Sequence, residues 1–96
     1  MAKYANAQKD RRPDMWEAMA DTTRRKILAM LGNRPHTAGE LADQFELSAA
    51  TVSHHLAVLR GSGLALCERR AQTLIYSLNT AALRALAGEI AALLKK

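Results

Sequence analysis

Apolar side chains recur along this chain with two periods, and the change from one to the other divides it. Met15, Trp16 and Met19 fall at helical spacing just after Pro13 and Asp14. Proline has no amide hydrogen to lose in a first helical turn, and the acids Asp14 and Glu17 favour the positive helix end. Ile27, Leu28 and Leu31 repeat the pattern after Asp21, whose carboxylate can accept from the free amides of a helix start. Gly32 and Asn33 end that run and Pro35 forbids its continuation. Thr37-Ala38-Gly39-Glu40 has the form of a capping box, and Leu41, Ala42 and Phe45 give the stripe of a short helix behind it. Gln44 to Leu47 is a tight connection. Ser48 then caps a helix running to about Arg60, stopped by Gly61 and Gly63.

Beyond Gly63 the period drops to two. Leu64 and Leu66, then Leu74, Tyr76 and Leu78, alternate with polar or smaller neighbours, which predicts two short strands. Between them Glu68 to Thr73 reads as a basic hairpin tip. Asn79 or Thr80 caps a last helix, where Leu83, Leu86, Ile90 and Leu93 recur at steps of three and four. The expected fold is mainly α with a small β-hairpin, in the order α-α-α-α-β-β-α. Two short helices across a tight turn, followed by a hairpin, make the winged helix-turn-helix plan. Residues 1–12 show no apolar period and read as a flexible basic N-terminal arm. Residues 13–96 read as one domain for DNA binding and dimerisation.

Composition sharpens this picture. With 96 residues, of which 49% are hydrophobic and only 4% aromatic, the core must be built from Leu, Ile, Val, Met and Ala, which suits helices. A domain this small is marginal alone, and self-association is a remedy. The formal charge of +5 fits nucleic acid or an anionic surface as partner. The single cysteine, Cys67, cannot build an internal disulfide framework, so a reducing cytoplasm is the expected setting, with Cys67 a small hydrophobe on its strand. No apolar run has membrane-span length, and the polar start lacks the apolar stretch of a signal peptide.

The candidate chemistry lies on the helix that Ser48 begins. At 100° per residue, Val52, Leu56 and Leu59 fall within about 60° of one another and must face the core. The opposite arc carries Ala50, Ser53, His54 and Ala57, flanked by Ala49 and Arg60, and Ser48 to Val58 includes neither Glu nor Lys. A solvated helix face usually has both. A small, acid-free face lets a helix enter the major groove, where Ser53 and His54 can hydrogen-bond base edges. The free amides and hydroxyls of Ser48 and Thr51, with Thr37 at the preceding helix start, suit phosphate oxygens. Arg69, Arg70 and Gln72 at the hairpin tip are expected to reach phosphates or the minor groove as a wing. His54 and His55 are a poor metal pair because neighbouring helical residues point about 100° apart, and zinc needs three or four converging ligands. His55 falls near the core edge, where packing and one hydrogen bond are expected, and His36 precedes a helix without a ligand partner nearby in sequence. No metal and no cofactor is expected. Met15, Trp16 and Met19 at one end, with Leu83, Leu86, Ala87, Ile90, Leu93 and Leu94 at the other, exceed what one small core needs, and we expect a homodimer seam there. An enzyme is disfavoured: no phosphate loop occurs, and Ser53 beside His54 is a pair of helical neighbours, not a dyad.

Four stretches together resemble a known family: Trp16-Glu-Ala-Met-Ala-Asp21-x-Thr23-Arg24-Arg25-x-Ile27-Leu28, Thr37-Ala-Gly-Glu-Leu-Ala42, Ser48-x-x-Thr51-Val-Ser53-His54-His55-Leu56-x-x-Leu59-Arg60-x-x-Gly63-Leu64, and Ile75-Tyr76-Ser77-Leu78-Asn79. The chain is similar to the ArsR-type bacterial repressors from residue 14 to about 94, and the Ser-x-x-Thr-Val-Ser-His-His-Leu run is the specific part. The resemblance implies dimeric repressors that bind roughly palindromic operator DNA, often at their own promoter. Metal-sensing members carry a Cys-x-Cys motif on the helix holding Leu41 and Ala42, or Asp and His ligands on the last helix. Here Glu40-Leu-Ala-Asp43-Gln-Phe45 has no Cys, and the last helix offers only Glu89. Members that sense oxidants use paired cysteines. The likeness is therefore to the ligandless, autorepressing branch. Thr22 stands where the family usually has Pro, and Ala71 where the wing tip often has Gly. A metal- or redox-responsive repressor, and a winged-helix module that binds protein instead of DNA, are the alternatives. Release from DNA through an unidentified protein or membrane partner is a further expectation.

Overall fold

A computed structural model describes residues 14–95, so the N-terminal arm of residues 1–12 lies outside the described residues. The chain forms α1 (Met15–Met19), α2 (Thr22–Asn33), β1 (His36–Thr37), α3 (Ala38–Ala42), α4 (Ala49–Ser62), β2 (Ala65–Arg70), β3 (Thr73–Leu78) and α5 (Thr80–Ala92). This is the expected winged helix-turn-helix with one added element, the two-residue strand β1.

Each helix begins where a short polar side chain satisfies its free amides. Asp14 and Glu17 form a capping box at α1, as do Thr37 and Glu40 at α3. Asp21, Ser48 and Asn79 cap α2, α4 and α5 by accepting from the amides of Arg24, Thr51 and Ala82. Such a cap is worth about 1 kcal/mol, which matters most for helices of five residues such as α1 and α3 that could not stand alone. At its far end α4 runs through Gly61 and stops at Gly63, which takes φ 89°. There the Gly63 amide donates to the Arg60 carbonyl and the Leu64 amide to the Leu59 carbonyl, closing the helix with a Schellman motif.

The core gathers one face from every layer. Ile27, Leu28 and Leu31 of α2, Leu41 of α3, Val52, Leu56 and Leu59 of α4, and Leu64, Ala65 and Tyr76 at the sheet are buried together around Ala18 of α1. Burying a Leu or Ile completely contributes about 1.5–3 kcal/mol, so this cluster sets the relative positions of the helices.

The sheet is antiparallel, in the order β1-β3-β2. Ala65, Cys67 and Arg69 stand opposite Leu78, Tyr76 and Leu74, while Leu66, Glu68 and Arg70 stand opposite Ser77, Ile75 and Thr73. This register corrects the expectation for the first strand. Leu66, read as an inward partner of Leu64, is half exposed on the outer face, and Ala65 and Cys67 turn inward in its place. Leu64 itself belongs to the turn out of α4, so its burial does not set the parity of the strand. The hairpin tip is also tighter than expected: β2 and β3 extend to Arg70 and Thr73, leaving a turn of Ala71 and Gln72. Ala71 holds φ 54°, a left-handed conformation that Gly adopts freely and Ala adopts at a cost of about 1–2 kcal/mol.

Candidate nucleic-acid interface

Helix α4 is anchored by its buried row, Val52, Leu56 and Leu59, and presents Ala49, Ala50, Thr51, Ser53, His54, Ala57 and Arg60 to solvent. The exposed side is the arc expected from the helical period. Among its exposed residues from Ala49 to Arg60 none is acidic. At most positions the side chain is no larger than a methyl or hydroxymethyl group, so a duplex can approach the backbone closely.

The hydroxyls at the starts of α3 and α4 have defined hydrogen-bond partners. Ser48 Oγ accepts from the Thr51 amide at 3.1 Å and shares a second bond with Thr51 Oγ1 at 2.9 Å. Two hydroxyls with one mutual bond leave one O–H free to donate outward. Thr37 Oγ1 accepts from the Glu40 amide at 3.1 Å, and its own proton is free for a phosphate oxygen. Glu40 returns the contact by accepting from the Thr37 amide at 2.8 Å. That bond first, and the Arg34 guanidinium at 3.5 Å second, hold the Glu40 carboxyl below its usual range. Glu40 therefore keeps its charge while committed to the cap and to Arg34.

The fold brings several of the candidate residues together. Gln72 of the wing and Thr37 line one recess, together with Ala38, Gly39, Thr73 and Leu74. Ala49 and Ser53 of α4 face Ala38, Gly39 and Ala42 of α3 across a second hollow of about 240 Å³. The part played by Ala38 and Gly39 was not evident from the sequence, because their small size has meaning only once α3 lies beside α4 and the wing. Arg69 and Arg70 are both exposed but diverge: Arg69 shares a sheet face with Leu74, and Arg70 lies on the other face with Thr73. Arg70 Nε sits 3.4 Å from Glu68 Oε2 in a solvent-exposed pair, an interaction weak enough to exchange for a phosphate.

The histidines separate into three environments. His54 is exposed on the reading face. His55 is turned toward α2, its Nδ1 3.2 Å from Arg24 Nη1, which matches the expected packing with one hydrogen bond. His36 is buried in β1, where Nδ1 donates to the Arg34 carbonyl at 2.9 Å. Among the described residues, no three of His, Cys, Asp and Glu gather as a metal site would require. Cys67 is half-buried opposite Tyr76, and burial, with the nearby thiol, pushes the Tyr76 phenol up.

The terminal helices differ from the rest. Trp16 of α1 and Ile90, Leu93 and Leu94 at the end of α5 are exposed large apolar groups. Met15, Met19 and Leu83 are half-buried against the core. Leu86, expected on the seam, is instead buried within its own chain, because it falls in the first part of α5, which rests on the body. From Ala87 onward every described residue is exposed.

Comparison with known proteins agrees with this architecture. A family described as a helix-turn-helix domain matches residues 19–68, from the end of α1 into β2. The transcriptional repressor SdpR of Bacillus subtilis is 39% identical over 71 residues, covering 74% of this chain and 79% of SdpR. The transcriptional activator HlyU of Vibrio cholerae is 40% identical over 70 residues, covering 73% of this chain and 65% of HlyU. The solved structure of an ArsR-like transcriptional regulator from a Rhodococcus species aligns with a TM-score of 0.75 at 27% identity, covering 81% of this chain and 72% of that one. The reading helix, the hairpin beside it and these likenesses converge: the chain belongs to the ArsR family of winged helix-turn-helix transcriptional regulators, DNA-binding proteins and not enzymes.

Proposed function

We propose that the chain acts as a homodimeric repressor that binds a roughly palindromic operator, its own promoter included, without a bound metal. The observation that carries this reading is the exposed, acid-free face of α4 opposite a fully buried row. Ser53 and His54 read base edges, with Ala49 and Ala50 admitting the groove wall. Ser48, Thr51 and Thr37 donate to phosphates, Arg60 supplies charge at the end of the helix, and Arg69, Arg70 and Gln72 contact the backbone from the wing. The exposed apolar groups of α1 and α5 support pairing through Trp16, Ala87, Ile90, Leu93 and Leu94, with Met15, Met19 and Leu83 at its margin. Twofold pairing then offers two reading helices to half-sites about one DNA turn apart. Repression is preferred over activation because the likeness to SdpR spans more of that relative than the likeness to HlyU does.

The test is titration of the purified protein against duplexes from its own upstream region over a salt series. Specific binding should weaken linearly in log–log form as salt rises, with a slope of about −0.9 per phosphate neutralised. Equal affinity for scrambled duplexes would overturn operator recognition. Absence of any DNA binding, with capture of a protein instead, would favour the interaction-module alternative. Stoichiometric zinc or copper in the purified protein would favour the metal-responsive one.

A further inference from the structure

Arg24 reads in the sequence as part of a charged flank, Arg24-Arg25-Lys26. In the fold it is only partly exposed, and its guanidinium donates in three directions. Nε donates to the Ala18 carbonyl at 2.9 Å, Nη2 to the Glu17 carbonyl at 2.9 Å, and Nη1 lies 3.2 Å from His55 Nδ1. The first two acceptors end α1, and the third lies midway along the reading helix. Asp21 completes the junction: its Oδ2 accepts from the Arg24 amide at 3.0 Å and stands 3.9 Å from His55 Nδ1. One planar, permanently charged fork therefore ties α1, the start of α2 and α4 together.

The donor count constrains the imidazole. Arg24 Nη1 can only donate, so this contact is a hydrogen bond when His55 Nδ1 accepts and the ring carries its proton on Nε2. An imidazolium has a proton on both nitrogens. Charging His55 would set Nδ1–H against the guanidinium, removing that bond, and would turn the proton toward the Asp21 carboxylate. The groups facing His55 are Asp21 and Arg24 from α2, the α1 carbonyls of Glu17 and Ala18 behind Arg24, and His54, whose ring centre lies 6.0 Å away on α4. The Glu17 carboxylate is committed to the Asp14 amide at 3.2 Å. The junction thus has two arrangements, with His55 bonded to Arg24 in one and turned to Asp21 in the other.

We propose that Arg24 and His55 are positioning residues that hold the reading helix at a fixed angle to α1, and that protonation of His55 uncouples them and weakens operator binding. This rests on the reading that α1 contributes to the dimer seam, since only then does its angle to α4 set the spacing of two reading helices. Histidine is the side chain whose charge changes between about pH 5 and 8. The two adjacent histidines have opposite effects: charging His54 beside phosphates strengthens binding, whereas charging His55 weakens it.

The experiment measures operator affinity at constant ionic strength from neutral to mildly acidic pH for the parent, His55→Gln and Arg24→Lys, with dimer dissociation followed by sedimentation. Gln can accept from Arg24 but does not titrate, so His55→Gln should keep or gain affinity in acid, where only His54 charges, while the parent falls about tenfold below it, a typical coupling strength. Arg24→Lys, which has one donor site instead of a fork, should bind more weakly at every pH, with its dimer intact. A dimeric parent whose pH profile matches that of His55→Gln overturns the inference; a parent that occupies the operator as a monomer overturns the seam on which it rests. Independently of any variant, nitrogen NMR of the parent at neutral pH should find the His55 proton on Nε2, and a proton on Nδ1 overturns the proposal.

Discussion

Replacing Leu93 with serine tests the proposed contribution of the terminal helix to pairing. Leu93 is 71% exposed in the single chain, so the substitution removes little from the chain's own core. Complete burial of a leucine contributes about 1.5–3 kcal/mol, and with 71% of that surface still open the interface can gain roughly 1–2 kcal/mol per copy. A twofold seam loses the group twice. Leu93→Ser should therefore weaken dimerisation by roughly 2–4 kcal/mol, or about 30- to 700-fold in dissociation constant. Sedimentation equilibrium over a concentration series reads that shift directly. Thermal unfolding at concentrations where both proteins are monomeric should be unchanged, which separates lost pairing from lost folding. The DNA consequence is also specific: affinity for a two-half-site operator should fall with the dimer population, whereas affinity for one half-site should not. An unchanged dissociation constant, or a lowered melting temperature of the monomer, would refute the reasoning, because either would mean that Leu93 faces something other than a second copy.

Four other substitutions probe three separate parts of the molecule. Ser53→Ala and His54→Ala should each weaken specific binding by about 1–3 kcal/mol if they read base edges, and leave affinity for random duplex nearly unchanged in fluorescence anisotropy. Ala71→Gly should raise the urea midpoint slightly, since relief of about 1–2 kcal/mol of left-handed strain outweighs the about 0.5–1 kcal/mol of added backbone freedom; a lower midpoint would mean that the turn carries no such strain. The Asp21 carboxyl is held below its usual range chiefly by the Arg24 amide, with His55 and the Arg24 guanidinium contributing less and burial opposing. A depressed folded value stabilises above the ordinary carboxylate range and is lost as pH falls through that value. Asp21→Asn, which keeps a capping oxygen, should therefore be less stable than the parent at neutral pH, with the gap closing in strong acid; a gap that persists there would show the charge to be irrelevant.

What the sequence made legible was local. Capping residues announce helix starts because the side chain and the amides it satisfies lie three positions apart, so Asp21, Thr37 and Ser48 could be placed without knowing the fold. The reading face was equally visible, because Val52, Leu56 and Leu59 commit one side of α4 to the core by period alone. What was hidden depends on pairing partners. The strand β1 has no period of its own, since two residues extend only because β3 lies alongside to receive them. The phase of β2 was misread because parity belongs to the β3 register and not to the nearest leucine. Arg24 was hidden for a similar reason: beside Arg25 and Lys26 it looks solvated, and only α4 packing above it supplies the imidazole to which it donates.

Gly63 shows how limits on shape and limits on size come apart. A methyl group built there meets nothing within 4 Å, yet the backbone sits at φ 89°. Lineages descended from this protein should therefore keep Gly, with Asn or Asp the least costly exchanges, and avoid Val or Ile despite the open space. A profile of substitutions at that position would reflect torsion angles and carry no information about packing volume.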